Sequence, residues 1–423
     1  MNNKMEKERL VPELRFPSFE GEWSETAMGE LMTFKNGYNA AKEQYGSGRK
    51  FINVLDIIEN DFITHDTIIG SVEIPEKDFE KNKVEHGDIL FQRSSETREE
   101  VGQANVYLDK DKPATFGGFV IRGKPTQKYD PVYFNELLKS AKARKDITSR
   151  SGGSTRYNIG QESLEAVKIN ISPTFPEQQK VAGFLTAVDG RIGQLIQKRA
   201  LLEDYKKGVM RQLFTQATRF KDYNGNDFPD WEEKKLGEIS SLITSGSRNW
   251  AQHYSESGSK FVRMTNLTRN GIGLLLENMK YVSLPLSGSE GARTSLDHND
   301  ILISITAELG KIGWIPDGFG EAFINQHTAL VRPRSTSANS RFIAYCLSSA
   351  AMNKRINRLN DSGAKSGLNL STIRSISLAV PSLPEQTKIA NVLSAIDRKI
   401  ERVATQITET QTFKRGLLQQ MFV

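Results

Sequence analysis

The polar loops are where residue type and spacing suggest chemistry, and that chemistry is contact with nucleobases and phosphates. In the first half of the chain they carry Arg49 and Lys50, then Arg93, Ser94 and Arg98, then Arg150, Gly152, Gly153, Ser154, Thr155, Arg156, Tyr157 and Asn158. In the second half they carry Ser247, Arg248, Asn249, Trp250, His253 and Tyr254, then Lys311, then Asn325, Gln326 and His327, then Lys365 and Ser366. Arginine matches guanine edges, Asn and Gln match adenine edges, and Ser, Thr, Lys and backbone amides hold phosphates. Any one of these residues, taken singly, is better explained as a solvated loop position. The Gly152–Tyr157 run is the best candidate. Its glycines let the backbone approach a phosphate, while Arg156 and Tyr157 add charge and stacking. The same glycines could instead serve only to turn the chain.

Catalytic constellations are missing from the sequence. There is no Gly-x-x-x-x-Gly-Lys-Ser/Thr phosphate loop. There is also no Asn/Asp-Pro-Pro-aromatic motif of an amino-methyltransferase, and no glycine-rich strand-to-helix turn for a methyl donor. The string Pro229-Asp230-Trp231-Glu232-Glu233-Lys234 has the residue types of a nuclease site. Its acidic residues are too close to share one metal across a hairpin, so it reads as a turn entering a strand. His65, His86, His253, His298 and His327 are scattered, and the single Cys346 excludes an internal disulfide or a cysteine-rich zinc cluster. The chain is therefore expected to bind no metal.

Composition agrees with a soluble, multi-domain protein. The 423 residues carry 57 Lys and Arg against 51 Asp and Glu, a net charge of +6 that permits an anionic partner without requiring one. Mean hydropathy is −0.48. No apolar run approaches the ~18 residues of a membrane helix. Met1–Arg9 lack a secretory signal, so a cytoplasmic location without membrane contact is expected.

The positioning elements follow from an internal repeat. Pro176-Glu177-Gln178-Gln179-Lys180-Val181-Ala182 recurs 208 positions later as Pro384-Glu385-Gln386-Thr387-Lys388-Ile389-Ala390, and the register then holds to Phe214 and Phe422. The same shift relates Trp23 to Trp231 and Gly29-Glu30 to Gly237-Glu238. Two blocks of α+β character, with short strands and many polar loops, thus alternate with two long helices. Val181, Val188, Leu195, Leu202 and Val209 fall on a seven-residue seam, as do Ile389, Ile396, Val403 and Leu417. Phe184, Leu185, Ile192 and Tyr205 fill the adjoining stripe of the first, and Val392, Leu393, Ile400, Ile407 and Phe413 that of the second. This spacing predicts a coiled coil, and an antiparallel pairing is expected because it brings the two blocks to opposite ends. Strands are expected at Phe51–Ile58 and Phe261–Leu267, and helices near Pro131–Ala143 and Ser340–Ile356. The expected layout is a lead-in at 1–22, blocks at 23–173 and 219–381, and helices at 174–218 and 382–423.

In this order the chain resembles the specificity subunit of type I restriction–modification systems. The segment Pro12-Glu13-Leu14-Arg15-Phe16-Pro17 with Trp23, the strands Asp88-Ile89-Leu90 and Asp300-Ile301-Leu302, and both Pro-Glu-Gln helices carry the likeness over nearly the whole length. Each motif alone is weak, whereas their order and duplication are specific. The resemblance implies two target-recognition domains, each reading half of a bipartite, asymmetric site in double-stranded DNA. It implies helices that set the gap and dock two methyltransferase (modification) subunits carrying S-adenosylmethionine, which two ATP- and Mg2+-dependent restriction subunits can join. This chain would catalyse nothing and bind no cofactor. Because the two blocks differ in their loops, the half-sites should differ too. A fused methyltransferase–nuclease partner or a stand-alone nuclease, a protein-binding scaffold, and the specificity subunit of a related restriction type are the competing readings.

Overall fold

The structure is a computed structural model that describes residues 9–248, 250–284, 291, 293–359 and 367–423. It divides into two units, Met1–Ile196 with Thr405–Val423, and Gln197–Ala404. Among the described residues no helix is long and apolar enough to cross a membrane.

In the first unit a four-stranded antiparallel sheet runs in the order Met32–Asn36, Val120–Pro125, Ile89–Gln92, Ala104–Val106. Alternation along a strand puts successive side chains on opposite faces. Ile89, Phe91 and Ile121 accordingly join one apolar cluster with the helices, while Leu90 and Val120 join another with Ile52, Tyr107 and Phe116. A smaller sheet places Tyr45–Ile52 between Ser71–Val72 and the parallel strand Thr115–Phe116. The pair Ser24–Ala27 and Lys168–Ile171 closes the unit.

The second unit repeats this plan. Its main sheet runs Ser240–Ser245, Thr328–Pro333, Ile301–Ser304, Ile312–Trp314, and Glu232–Lys235 pairs with Ser377–Val380. Ile301 and Ile303 face one cluster, and Leu302 and Leu330 face the other.

Two expectations need correction. The apolar runs from Phe51 and Phe261 are not single strands. Each strand ends, at Ile52 and Val262, and a helical turn follows at Val54–Ile58 and Met264–Asn266. The cause is local: Asn53 N–H donates to the Asp56 carboxylate (2.7 Å) and Arg263 N–H to the Asn266 side chain (3.0 Å). Likewise, each expected block helix is two helices, Pro131–Lys139 with Ala141–Ser149, and Ser340–Ser348 with Ala350–Arg358. Ser140 and Ser349 adopt extended ψ of 151° and 147°, and their hydroxyls accept Ala143 N–H and Met352 N–H. Such an N-cap starts a new helix rather than continuing the old one.

The long helices span Phe175–Phe214 and Leu383–Met421 and pack together as an antiparallel pair. In the first unit Lys414 reaches Asp189 (2.8 Å) and the buried Glu136 (3.0 Å). In the second Lys206 reaches Asp397 (2.6 Å), with Tyr345 where the first unit has Glu136. Val181, Leu185 and Leu417 bury into the first unit's core, and Ile389 and Ile396 into the second's. Leu195 and Val403 are also buried, and Val188, Leu202 and Val209 half-buried. Tyr205 and Phe413, expected in the stripe, are instead 61% and 56% exposed. The lysines that follow them occupy the inward positions.

The Pro-Glu-Gln motif has a structural task in each unit. Glu177 accepts Arg15 at 2.7 and 2.9 Å and also the Ser172 hydroxyl. Gln178 accepts Asp130 N–H (2.9 Å) at the start of Pro131–Lys139 and donates to Ser172 O (2.9 Å). Glu385 accepts Arg219 and the Trp231 indole, while Gln386 accepts Asn339 N–H (2.7 Å). One aromatic trio then completes each core: Trp23, Tyr133 and Phe422 in the first unit, Trp231, Phe342 and Phe214 in the second. Replacing Phe422 by Ala should cost about 3–5 kcal/mol of stability in the first unit. Hydrogen exchange should show lost protection in that unit and none in the second, and Phe214→Ala should show the reverse.

Candidate nucleic-acid interface

Four loops of the first unit are joined by hydrogen bonds at one end of its main sheet. Arg93, just beyond Ile89–Gln92, donates its backbone N–H to Phe119 O (2.9 Å) and its guanidinium to Gly118 O (3.3 Å). Its carbonyl accepts Ile159 N–H (3.0 Å), and the Ser94 hydroxyl donates to the Asn158 side chain (2.5 Å). Asn39 lies against Gly118, where a Cβ would fall 1.8 Å from its Oδ1. The expected run from Gly152 to Asn158 is a tight hairpin. Gly152 and Asn158 exchange N–H···O bonds of 2.9 and 2.8 Å, and Tyr157 pairs with Ser95. Gly153 has φ +124°, and a Cβ there would lie 2.0 Å from Arg156 O, so the turn requires glycine. Ser154, Thr155 and Arg156 stand exposed at the tip, and the Arg156 guanidinium has no partner among the described residues. The hairpin thus presents an exposed arginine whose carbonyl accepts the Asn158 amide (3.2 Å), with Asn158 in turn tied to Ser94.

The remaining first-unit candidates lie elsewhere or are engaged. Arg98 donates to Thr148 O (3.2 Å) and Arg150 pairs with Asp146 (3.0 Å), both beside the hairpin's base. Arg49 pairs with Glu76 (3.0 Å) and covers the Phe79 ring at 4.3 Å. Lys50 donates to Ile68 O. No hydrogen bond or ion pair among the described residues ties Arg49 or Lys50 to the hairpin.

The second unit builds the corresponding place from different side chains. Ser247 bridges Asn325 as Tyr38 bridges Gly117, both in parallel. Gly246 and Gly37 make the same close approach, each with a virtual Cβ 2.2 Å from the facing carbonyl oxygen, Asn325 or Gly117. Ile305 N–H donates to His327 O (3.1 Å) as Arg93 does to Phe119 O. His327 is hydrogen-bonded through Nδ1 to Thr306 (2.8 Å) and through Nε2 to Gln326 (3.0 Å). Asn325 Oδ1 accepts His327 N–H and the Thr328 hydroxyl. Arg248 is exposed. Trp250 is buried against Phe261 (4.8 Å) and Phe323 (5.5 Å), so its ring packs the core rather than offering a stacking face. His253 lies beside it, Tyr254 meets Phe261 edge-on, and Lys311 pairs with Glu308 (2.5 Å). Asn249, Lys365 and Ser366 lie outside the described residues.

Asn39 and Phe119 escaped the sequence reading. The repeat held the missing signal, because the 208-residue shift carries Asn325-Gln326-His327 onto Gly117-Gly118-Phe119. Among the described residues, no group of three His, Cys, Asp or Glu could hold a metal. Burial pushes the Cys346 thiol up to about 12, which removes it as a nucleophile.

Comparison with known proteins points the same way. The family model for the type I restriction modification DNA specificity domain matches twice, over residues 20–203 and 229–410. The chain is 26% identical over 399 residues to a protein of Methanocaldococcus jannaschii ascribed to the type I restriction enzyme MjaX as its specificity subunit, covering 92% of this chain and 89% of that one. It is 22% identical over 412 residues to the type I restriction enzyme StySPI specificity subunit of Salmonella potsdam, covering 94% and 87%. Its fold matches the type I restriction–modification S subunit from M. genitalium with a TM-score of 0.56, at 17% identity over 98% and 99% of the two chains. A chain from a structure of type I restriction–modification complex assembly and conformational transition gives 0.57, at 15% identity over 94% and 96%.

The hairpin geometry is directly testable. Gly153→Ala should disrupt it at a cost above about 1 kcal/mol. The amides of Gly152 and Asn158 should then exchange faster, with the rest of the unit unchanged. Gly152→Ala is the matched control, since nothing lies within 4 Å of its virtual Cβ.

Proposed function

This chain belongs to the type I restriction–modification DNA specificity family, and from that premise we propose how it divides its target between two readers. Its role is DNA recognition for a multisubunit enzyme whose chemistry resides in other chains. The first block reads one half of a bipartite site through the Arg93, Phe119 and Arg156 loops. The second reads the other half through the loops of Ser247, Arg248, Thr306 and His327. The observation that carries this reading is one backbone plan with different side chains at its loop tips. Gly117-Gly118-Phe119 in one unit stands where the other has Asn325-Gln326-His327. Side chains at base edges specify sequence, so dissimilar loops imply dissimilar half-sites.

The paired helices act as the spacer between half-sites and as the seat of two modification subunits. Exposed Leu201, Tyr205 and Phe413 are large apolar side chains that a partner would cover. S-adenosylmethionine belongs to those modification subunits, and ATP and Mg2+ to two restriction subunits that join them in the cytoplasm. A modest positive charge suffices when partner subunits supply many of the phosphate contacts.

Long-read mapping of adenine methylation, in cells with and without this gene and with the modification subunit present in both, tests the assignment. A bipartite motif should vanish with the gene, and an unchanged methylome would refute it. Equal insertions of one heptad in both long helices add roughly 10 Å. They should lengthen the unread gap by about three base pairs at ~3.4 Å each and leave both half-sites unaltered. A gap of unchanged length after such an insertion would remove the spacer role.

A further inference from the structure

Three adjacent residues of the second unit, Asn325, Gln326 and His327, have different tasks once their hydrogen bonds are followed. Asn325 Oδ1 accepts His327 N–H (3.2 Å) and the Thr328 hydroxyl (3.3 Å), so its carbonyl oxygen is spent on holding the loop. The His327 ring is engaged at both nitrogens, with Thr306 Oγ1 2.8 Å from Nδ1 and Gln326 Nε2 3.0 Å from Nε2. A neutral imidazole carries one N–H, and an amide nitrogen only donates. His327 Nε2 therefore accepts from Gln326, and the ring proton lies on Nδ1, donated to Thr306. This chain fixes which way the Gln326 amide points. Its Oε1 and its second N–H have no partner among the described residues, and the side chain is half-buried.

The support beneath the chain is backbone. Ile305 N–H donates to His327 O (3.1 Å), and Leu368 N–H donates to Ile305 O (2.9 Å). Thr306 bridges Gly367, and Ala307 beside it holds φ +56°, a conformation that persists only where the surroundings impose it. The first unit uses the same device. Ser94, in register with Thr306, donates its hydroxyl to the Asn158 amide oxygen (2.5 Å). In each unit a hydroxyl at the end of the main sheet steadies an amide, directly or through an imidazole.

We propose that Gln326 reads one adenine of the second half-site and that His327 is its positioning residue. This role rests on the DNA-reading assignment above. An amide that presents an acceptor beside an N–H matches adenine, whose major-groove edge offers the N6 amino group beside N7. Guanine offers two acceptors there, and cytosine and thymine no adjacent donor–acceptor pair. Gly118 and Phe119, the counterparts of Gln326 and His327, carry neither an amide side chain nor a ring acceptor, so the first unit lacks this contact.

The test uses the complex reconstituted with its modification subunits and a duplex bearing the mapped site. Each adenine of both half-sites is replaced in turn by 7-deazaadenine, which lacks the N7 acceptor, and by purine, which lacks the amino group. At one adenine that is not itself methylated, each analogue should weaken binding about tenfold. In Gln326→Ala both penalties should vanish at that adenine and persist elsewhere. His327→Phe, the residue the first unit carries there, keeps a ring but removes the acceptor, and should shrink both penalties severalfold. His327→Gln, whose Oε1 replaces the imidazole acceptor, should restore them. A merely structural role would instead alter base preference throughout the half-site. If no such adenine responds to both analogues, or its penalties persist in Gln326→Ala, the reading role is overturned. Unchanged penalties in His327→Phe overturn the positioning role. Either result at a mapped site leaves the DNA-reading assignment standing; if no site maps at all, that assignment falls and the Gln326 role falls with it.

Discussion

A carboxylate buried in the first turn of each long helix is the contact on which the other elements converge. A buried charge is tolerated only when paired and fully hydrogen-bonded. Glu177 meets that demand with Arg15 and Ser172, and Glu385 with Arg219 and Trp231. Burial pushes the Glu177 carboxyl up, but the hydrogen bonds from Arg15 and Ser172 outweigh it and hold it below the usual carboxylate range. Losing either arginine would strand a charge inside the protein. The lead-in segment, the helix start and the closing strand are thereby fixed together. The neighbouring glutamine adds the block helix to the same junction through Asp130 N–H or Asn339 N–H. The duplicated Pro-Glu-Gln sequence is therefore a docking device as well as a helix start.

From that junction outward, the two units hold their backbone constant and vary their tips. Close approach of Gly37 to Gly117 O and of Gly246 to Asn325 O locks the same loop pair in both. Beyond that lock, the side chains diverge: Phe119 against His327, Arg93 against Ile305, Ala41 against Trp250. Strand interiors tolerate little, because Ile89, Leu90 and Phe91 or Ile301, Leu302 and Ile303 are buried on both faces. Loop tips carry no such packing cost, so recognition can change there without altering the fold.

Much of this was legible in the sequence, for identifiable reasons. A repeat with one constant shift exposes the two-unit plan, and heptad spacing exposes the long helices. The polar hairpin declared itself through paired glycines followed by Arg156. What stayed hidden depended on distance or on single side chains. Arg15-Phe16 lies eight residues before Trp23 and Arg219-Phe220 twelve before Trp231, so the register slips where the buried ion pair would have shown. The heptad assigned Tyr205 and Phe413 inward, yet Lys206 and Lys414 take the inward places because Asp397 and Asp189 face them. Ser140 and Ser349 read as helix interior, although a serine hydroxyl that caps the next turn ends one helix and starts another. That Trp250, a candidate by its place in a polar loop, packs inward against Phe261 and Phe323 is likewise invisible in the sequence, which does not reveal which aromatic rings face the core.

The division of the chain also constrains how the units form. The second unit is one continuous stretch, Gln197–Ala404, whereas the first needs Thr405–Val423 in addition to Met1–Ile196. Phe422 sits between Trp23 and Tyr133, Gln420 O accepts Leu14 N–H, and Val423 O accepts the Asn170 amide. These contacts close a loop of several hundred residues, and closure entropy grows with loop length only logarithmically. Folding the intervening unit first shortens the effective loop, so the first unit gains its last core residues at a smaller entropic cost. The matching contacts of the second unit are made by Phe214, which lies 17 residues before Trp231. Sequence separation alone therefore makes the second unit the one that can complete its core independently, while the first waits for a distant segment.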